Sequence, residues 1–422
     1  MSNTVPEGWS TAELTKFCEV VGGGTPDRSV EEYWNGDIPW ASPTEITSLF
    51  SKHISKTKES ITQKGLEKSS AKLHPAGTVL MTSRASIGYV AINTVAMATN
   101  QGFQSLRCKE NTCADYIYQH ITWIRPELEK MSAGSTFSEI SSSSVKKLRV
   151  TLPPLLEQKK IAAILSSVDD VIEKTRAQID KLKYLKTGMM QELLTIGVGH
   201  TEFKDSPVGR IPAGWEVKSL GEVANVTKLA GFEYTNHFDY SVGGEIIALR
   251  ALNLTNGRLD LTNIQTIPKS VSDTLPRSKL FKGDILITYV GANIGEIGLV
   301  DEDDKYHLAP NVGKISFDRS VAHAGFMFQQ ILSQRVQRAI RNLTSVTSQP
   351  SLNMSNIRNI PILILPRSEQ EKISKILFGV DNKIETSQRK LHKLASMKKA
   401  LMQDLLTGKV RVKVDQKESA VA

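Results

Sequence analysis

One stretch of about 39 residues occurs twice in the chain, and this repeat restricts the fold more than any other feature. Glu157-Gln158 opens the first copy and Glu369-Gln370 the second, an offset of 212 (369 − 157). With that offset held, the copies run without a gap to Leu193-Leu194-Thr195 and Leu405-Leu406-Thr407, with roughly 18 of 39 positions identical. A period this long in 422 residues means duplication of a half-protein rather than a solenoid of short repeats.

Both copies carry an apolar seam with a spacing of 3.5. Ile161, Leu165, Val168, Ile172, Ile179 and Leu182 form it in the first; Ile373, Leu377, Val380, Ile384, Leu391 and Leu394 form it in the second. The interruptions also match: Thr175 with Ser387, and Lys186 with Lys398. Such a seam demands a helical partner, and polar residues within it fix register at a cost in stability. Matching heptads at matching places predict that the two helices, each roughly 58 Å long at 1.5 Å per residue, pack on each other antiparallel.

The duplication extends outside the helices. Pro6-Glu7-Gly8-Trp9 recurs as Pro212-Ala213-Gly214-Trp215, a turn followed by an aromatic anchor. Gly77-Thr78-Val79-Leu80-Met81-Thr82 matches Gly283-Asp284-Ile285-Leu286-Ile287-Thr288, which predicts a glycine turn and a short strand. Asn100-Gln101-Gly102 is then aligned with Asn311-Val312-Gly313. Helical stretches are expected near 113–131 and 322–342, followed by polar loops and a short apolar strand ending at Pro153 or Pro366. Between these landmarks the two copies differ freely. Helices that share one job, flanked by domains doing one kind of job on different targets, would give this pattern.

Composition narrows the class. The net charge of +9 makes the chain mildly basic, compatible with nucleic acid without establishing it. Local clusters are more suggestive: Lys52, Lys56, Lys58, Lys64, Lys68 and Lys72 in one stretch, and Arg335, Arg338 and Arg341 on one expected helix face. Three scattered cysteines point to a reducing cytoplasm and offer no metal spacing. The first residues lack the basic and apolar parts of a signal peptide, and no apolar run reaches the roughly 18 residues of a membrane span. There is no phosphate-binding loop, dinucleotide fingerprint or nucleophile elbow. An Asp/Asn-Pro-Pro-Tyr/Phe motif for amino-methylation of a base is missing as well. Asp301-Glu302-Asp303-Asp304 reads as a solvated loop rather than a cation site. The residues therefore describe a recognition and scaffold protein without a metal or catalytic centre of its own.

The order of these elements resembles the specificity (S) subunit of type I restriction–modification enzymes, over essentially the whole chain. The most specific segments are Pro153-Pro154-Leu155-Leu156-Glu157-Gln158-Lys159-Lys160-Ile161-Ala162 with its repeat from Leu365, Thr201-Glu202-Phe203-Lys204-Asp205-Ser206, and the Leu-Leu-Thr endings. The resemblance implies an α+β chain with an internal pseudo-twofold repeat. Two mixed α/β target-recognition domains, at 1–151 and 197–367, would be separated by two long helices forming an antiparallel coiled coil. The helical regions are expected at 152–196 and 368–408, with a tail at 409–422. It further implies that each domain reads one half of a split, asymmetric sequence of double-stranded DNA. The helices would set the spacing and dock two modification (methyltransferase) subunits. S-adenosylmethionine on those subunits, and ATP and Mg²⁺ on restriction subunits, would supply the chemistry, with no cofactor in this chain. Half-sites facing successive major grooves lie about one turn, roughly 34 Å, apart.

Bases are read by Arg, Asn, Gln, Ser and Thr, and phosphates by Lys, Arg and backbone amides. In the first domain these rules single out Thr25, Ser42, Thr44, Arg84, Asn100, Gln101 and Ser135, with Lys52 and Lys56 on phosphates. In the second they single out Arg250, Asn253, Tyr289, Asn293, Asn311, Ser348 and Gln349. Two other classes stay open on sequence alone: a coiled-coil protein-binding adaptor, and a catalytic DNA enzyme with diverged motifs.

Overall fold

In a computed structural model, residues 5–132, 139–240, 242–344 and 351–414 are described. The chain divides into two compact units, Met1–Gln178 with Ser387–Ala422, and Ile179–Thr386. Each unit holds one mixed domain and parts of both long helices, Leu155–Leu193 and Arg367–Leu406.

In the first unit a five-stranded sheet runs in the order Cys18–Gly22, Gln104–Cys108, Val79–Met81, Val90–Asn93, His53–Ile54. A second sheet centres on Trp34–Ala41, antiparallel to Glu59–Ile61 and parallel to Ala98–Thr99. The second unit repeats both. Its four-stranded sheet runs Ala224–Lys228, Val312–Phe317, Ile285–Thr288, Ile297–Leu299. Ile246–Leu249 is antiparallel to Gln265–Ile267 and parallel to Tyr306–Leu308. Strands rich in Val, Ile and Leu are buried on both faces here, as in Val79–Met81 and Ile285–Thr288. A helix covers the larger sheet in each unit, but its form differs. Ala114–Ser132 is unbroken, whereas the stretch expected over 322–342 is two helices, Ala324–Leu332 and Gln334–Leu343. The break lies at Ser333, whose extended backbone lets its hydroxyl cap the second helix at Val336 N.

The repeated motifs anchor each domain to the start of a long helix. In the first unit the turn closes through Trp9 N to Pro6 O (3.0 Å), and Trp9 Nε1 donates to Glu157 Oε2 at 3.2 Å. In the second, Trp215 N reaches Pro212 O (3.0 Å) and Trp215 Nε1 donates to Glu369 Oε2 at 3.1 Å. The adjacent glutamines hold the entry of the covering helix. Gln158 Oε1 accepts from Cys113 N at 2.9 Å, and Gln370 Oε1 from His323 N at 2.8 Å. The Glu-Gln pair is buried in both units, and each glutamine amide also donates to two backbone carbonyls, Asn111 O and Pro153 O in the first unit and Val321 O and Leu365 O in the second.

The helices run antiparallel within each unit. In the first, Asp169 meets Lys398 and Glu157 meets Arg411; in the second, Lys186 meets Asp381 and Val198 N reaches Glu369. Ile161, Leu165, Val168, Ile172, Ile179, Ile373, Leu377, Val380 and Ile384 of the seam are buried; Leu182, Leu391 and Leu394 are half-buried. Thr175 is buried too, its hydroxyl donating back to Val171 O at 2.7 Å. No helix among the described residues is long and apolar enough to cross a membrane.

Candidate nucleic-acid interface

Four loops converge at one end of the first domain. Strand Trp34–Ala41 runs into Ser42, which caps the helix Pro43–Ser48: Ser42 N and Oγ both donate to Glu45 Oε2 at 2.8 Å. The Ser-x-x-Glu pattern works here because the Glu45 carboxylate satisfies the Ser42 backbone amide, which the helix cannot. Ala41 O accepts from Asn100 N (3.0 Å), and Asn100 Oδ1 closes its own loop onto Gly102 N (2.8 Å). Gly102 O accepts from Ser83 N at 2.7 Å, which brings in Arg84. The crossing is tight: a β-carbon on Gly102 would fall 3.1 Å from Pro43 Cγ and 3.7 Å from Arg84 Cβ. Gly23 is tighter still, since its β-carbon would lie 1.9 Å from Asn100 O. Beside it, Thr25 Oγ1 donates to Gln101 Oε1.

Thr25, Ser42, Thr44, Arg84, Asn100 and Gln101 are thus gathered into one cluster. Thr44, Arg84 and Gln101 are exposed. The Arg84 guanidinium lies 3.7 Å from Glu139, too loosely held to be withdrawn from solvent. Sequence reasoning missed Arg28, which lies 3.9 Å over Trp34 and donates to both Glu59 oxygens. Glu45 is marked in the sequence by the Ser42-x-x-Glu45 spacing.

Lys52 is placed elsewhere. Its Nζ donates to Asp115 Oδ1 (2.6 Å) and Ser166 Oγ (2.9 Å), so the expected phosphate contact gives way to a tie between domain and long helix. Lys56 is exposed between His53–Ile54 and Glu59–Ile61. In the basic stretch around it, Lys64 pairs with Glu32 at 2.6 Å.

The second domain builds the same end differently. Leu249 O accepts from Ala309 N at 3.2 Å, as Ala41 O does from Asn100 N, and Arg250 N donates to Asn253 Oδ1 at 3.1 Å, as Ser42 N does to Glu45. Arg250 therefore stands where Ser42 stands, and Asn253 where Glu45 stands. Asn253 is fully buried, its amide donating to Asp260 O and Asn263 O, which corrects the expectation that it faces bases. Arg250 Nη2 donates to Asn263 O and Oδ1 at 3.0 and 3.1 Å. Tyr289 N donates to Asn311 O (3.0 Å), the role Gly102 plays for Ser83. Thr288 pairs with Val312 as Thr82 pairs with Phe103. The sequence alignment of Asn100 with Asn311 is therefore shifted by two: Asn100 corresponds to Ala309. Asn293 and Asn311 are exposed, and Lys228 Nζ lies 5.3 Å over the Tyr289 ring. Ser135, Ser348 and Gln349 lie outside the described residues.

Other expected features resolve into structure. Arg335, the first of the three spaced arginines, bonds Gln330 Oε1 (2.9 Å) and Pro361 O. Burial holds it down to about 10. The acidic run is engaged by Lys305, Lys282 N and Tyr306. Among the described residues no group of three or more His, Cys, Asp or Glu could hold a metal ion.

A groove beside the end of one long helix occurs in each unit. One of about 550 Å³ has Met190, Gln191 and Thr195 on the helix side, with Arg335 and Arg338 opposite. Another of about 970 Å³ has Met402, Gln403 and Thr407, with Trp123 and Arg125 opposite. The helix sides are the same three residues displaced by 212 (402 − 190, 403 − 191, 407 − 195).

These features define a duplicated recognition scaffold, and the comparisons agree. The chain belongs to the type I restriction modification DNA specificity family, whose domain matches it twice, at residues 6–184 and 212–396. It is 29% identical over 418 residues to the type I restriction enzyme MjaIX specificity subunit of Methanocaldococcus jannaschii, covering 97% of this chain and 95% of that one. The MjaVIII specificity subunit of the same organism is 27% identical over 416 residues, covering 97% and 94%. In fold it is similar to the type I restriction-modification S subunit from M. genitalium, with a TM-score of 0.62, 14% identity and 98% of each chain covered. DNA target recognition within a type I system is the role this family defines, and the subunit is not itself the enzyme.

Proposed function

We propose that each mixed domain reads one half of a split, asymmetric DNA target, while the long helices set the spacing between the halves. One observation carries this reading: the loop side chains at one end of each domain differ where the backbone frame repeats. Ser42 is replaced by Arg250, Asn100 by Ala309 and Ser83 by Tyr289 at equivalent backbone positions, whereas the Trp–Glu and Gln anchors recur. Different donors and acceptors on one frame suit different base sequences. In this reading Thr25, Ser42, Thr44, Arg84, Asn100 and Gln101 face one half-site. Arg250, Tyr289, Asn293 and Asn311 face the other, and Lys56 meets a phosphate.

The repeated grooves support two copies of one partner. Modification subunits carrying S-adenosylmethionine would dock there and methylate adenine. Restriction subunits using ATP and Mg²⁺ would join them in the cytoplasm.

The test uses the chain assembled with its modification subunits. Exchanging residues 1–151 for the corresponding domain of another specificity subunit should change one half of the methylated target and leave the other intact. A change in both halves overturns the assignment, as does methyl transfer by the purified chain alone. Inserting four residues into both long helices, about one turn, should lengthen the spacer with both half-sites unchanged. DNA binding insensitive to salt would favour the adaptor instead, because neutralised phosphates release counterions.

A further inference from the structure

We propose that Cys18 and Cys108 form a hydroperoxide-oxidisable dithiol, a modification site within the first mixed domain. The two residues are direct partners on the antiparallel strands Cys18–Gly22 and Gln104–Cys108, with Sγ atoms 3.8 Å apart. The next pair outward is bonded, Lys109 N to Phe17 O at 2.9 Å. Pairs alternate along an antiparallel ladder, so Cys18 and Cys108 occupy a non-hydrogen-bonded position, where Cα atoms lie about 4.5 Å apart. That separation falls within the range of roughly 4.4–6.8 Å that a disulfide spans.

The two thiols differ in access. Cys18 is fully buried, and its contact with Cys108 together with burial holds it protonated. Cys108 is half-buried at the strand end and is the sulfur that meets an oxidant. Cys108 Sγ attacks the peroxide O–O bond and becomes a sulfenic acid, releasing one water. Cys18 Sγ then attacks the Cys108 sulfur, and the displaced hydroxyl leaves as a second water with the Cys18 proton. Two thiols and one hydrogen peroxide thus give one disulfide and two waters.

The other end of this ladder is the pair Gly22 and Gln104, where the strands meet the loops holding Thr25 and Gln101. A bridge at Cys18–Cys108 locks the register of the ladder. It also closes a covalent loop around residues 19–107, which include all four converging loops. The oxidised domain is therefore the more stable one.

The experiment treats the full chain with hydrogen peroxide under native conditions and maps its peptides without reduction. The expected product is a Cys18–Cys108 peptide pair, with two hydrogens lost from the intact mass and restored by dithiothreitol. The same pair should form in Cys113→Ser, and the oxidised chain should melt several degrees higher. Sulfinic acid at Cys108 with Cys18 still reduced would overturn the proposal. So would a Cys108–Cys113 bridge or a disulfide between chains.

Discussion

Lys186 Nζ lies 2.8 Å from Asp381 Oδ1, and the residues displaced by 212 from each, Lys398 and Asp169, make the same pair at 2.6 Å. Each aspartate also accepts from a glutamine of the covering helix: Gln329 to Asp381 at 2.9 Å, Gln119 to Asp169 at 2.7 Å. A lysine that interrupts an apolar seam in sequence is thus one arm of a three-residue tie. In each unit the tie joins both long helices to the mixed domain.

Breaking one arm should cost more than the exposed pairs elsewhere, because the lysine side chains are only 15% and 14% exposed. Asp381→Ala should destabilise its unit by about 1–3 kcal/mol, leaving Lys186 and Gln329 without an acceptor. A double-mutant cycle with Lys186→Met, followed by thermal unfolding, should return a coupling of at least about 0.5 kcal/mol. Additive effects would show that the pair does not interact.

Glu157 is buried beneath Trp9, and Arg411 closes over it through two bonds of 2.7 and 2.8 Å. Arg411→Ala should lower the melting temperature, since a buried carboxylate then keeps only the indole donor. Differential scanning calorimetry of the full chain would detect this, and Arg411→Lys should restore only part because it cannot bind bidentately.

Burial pushes His120 down to about 4, and burial with the Arg107 charge pushes His74 to the same level. Both are therefore neutral when folded and bind protons more readily when unfolded. Their contribution is complete above pH about 6.5 and is lost as the pH falls toward 4. Each costs on the order of 3 kcal/mol at the acid end of that window. Melting temperature recorded from pH 7 to 4.5 should fall, and His120→Phe should make the fall shallower. An unchanged slope would show that His120 titrates normally.

Arg84 and Lys52 are both cationic and near in sequence, yet they should behave differently. Arg84→Ala should weaken DNA binding by about 1–3 kcal/mol with the assembled complex if it reads a base. Lys52→Ala should leave the dependence of affinity on salt unchanged, because its ammonium already faces Asp115 and Ser166. A salt slope reduced by about one unit in Lys52→Ala would place it on a phosphate.

Gly23→Ala should disrupt the loop cluster from within. Its β-carbon would collide with Asn100 O, so the Asn100–Gly102 loop must move. Loss of DNA affinity with a stability cost of about 1–3 kcal/mol is expected, measured by titration and thermal unfolding. Unchanged affinity would remove this loop from the interface.

The repeat, the seam and the order of elements were legible in the sequence because each is periodic or local. Apolar spacing along a helix reports which face is buried, and Pro-x-Gly-Trp reports a turn wherever it occurs. The tertiary structure decided what those residues meet. Trp9 and Glu157 are 148 residues apart, and Lys186 and Asp381 come from different copies of the repeat, so no spacing rule connects them. It also decided that Ser42-to-Glu45 and Arg250-to-Asn253 are one turn built from unrelated residues, and that Asn100 corresponds to Ala309. Backbone hydrogen bonds preserve such an equivalence when side chains do not. For the same reason Lys52 and Asn253 read as surface residues in sequence, although the fold engages one in a tie and buries the other as a bracket.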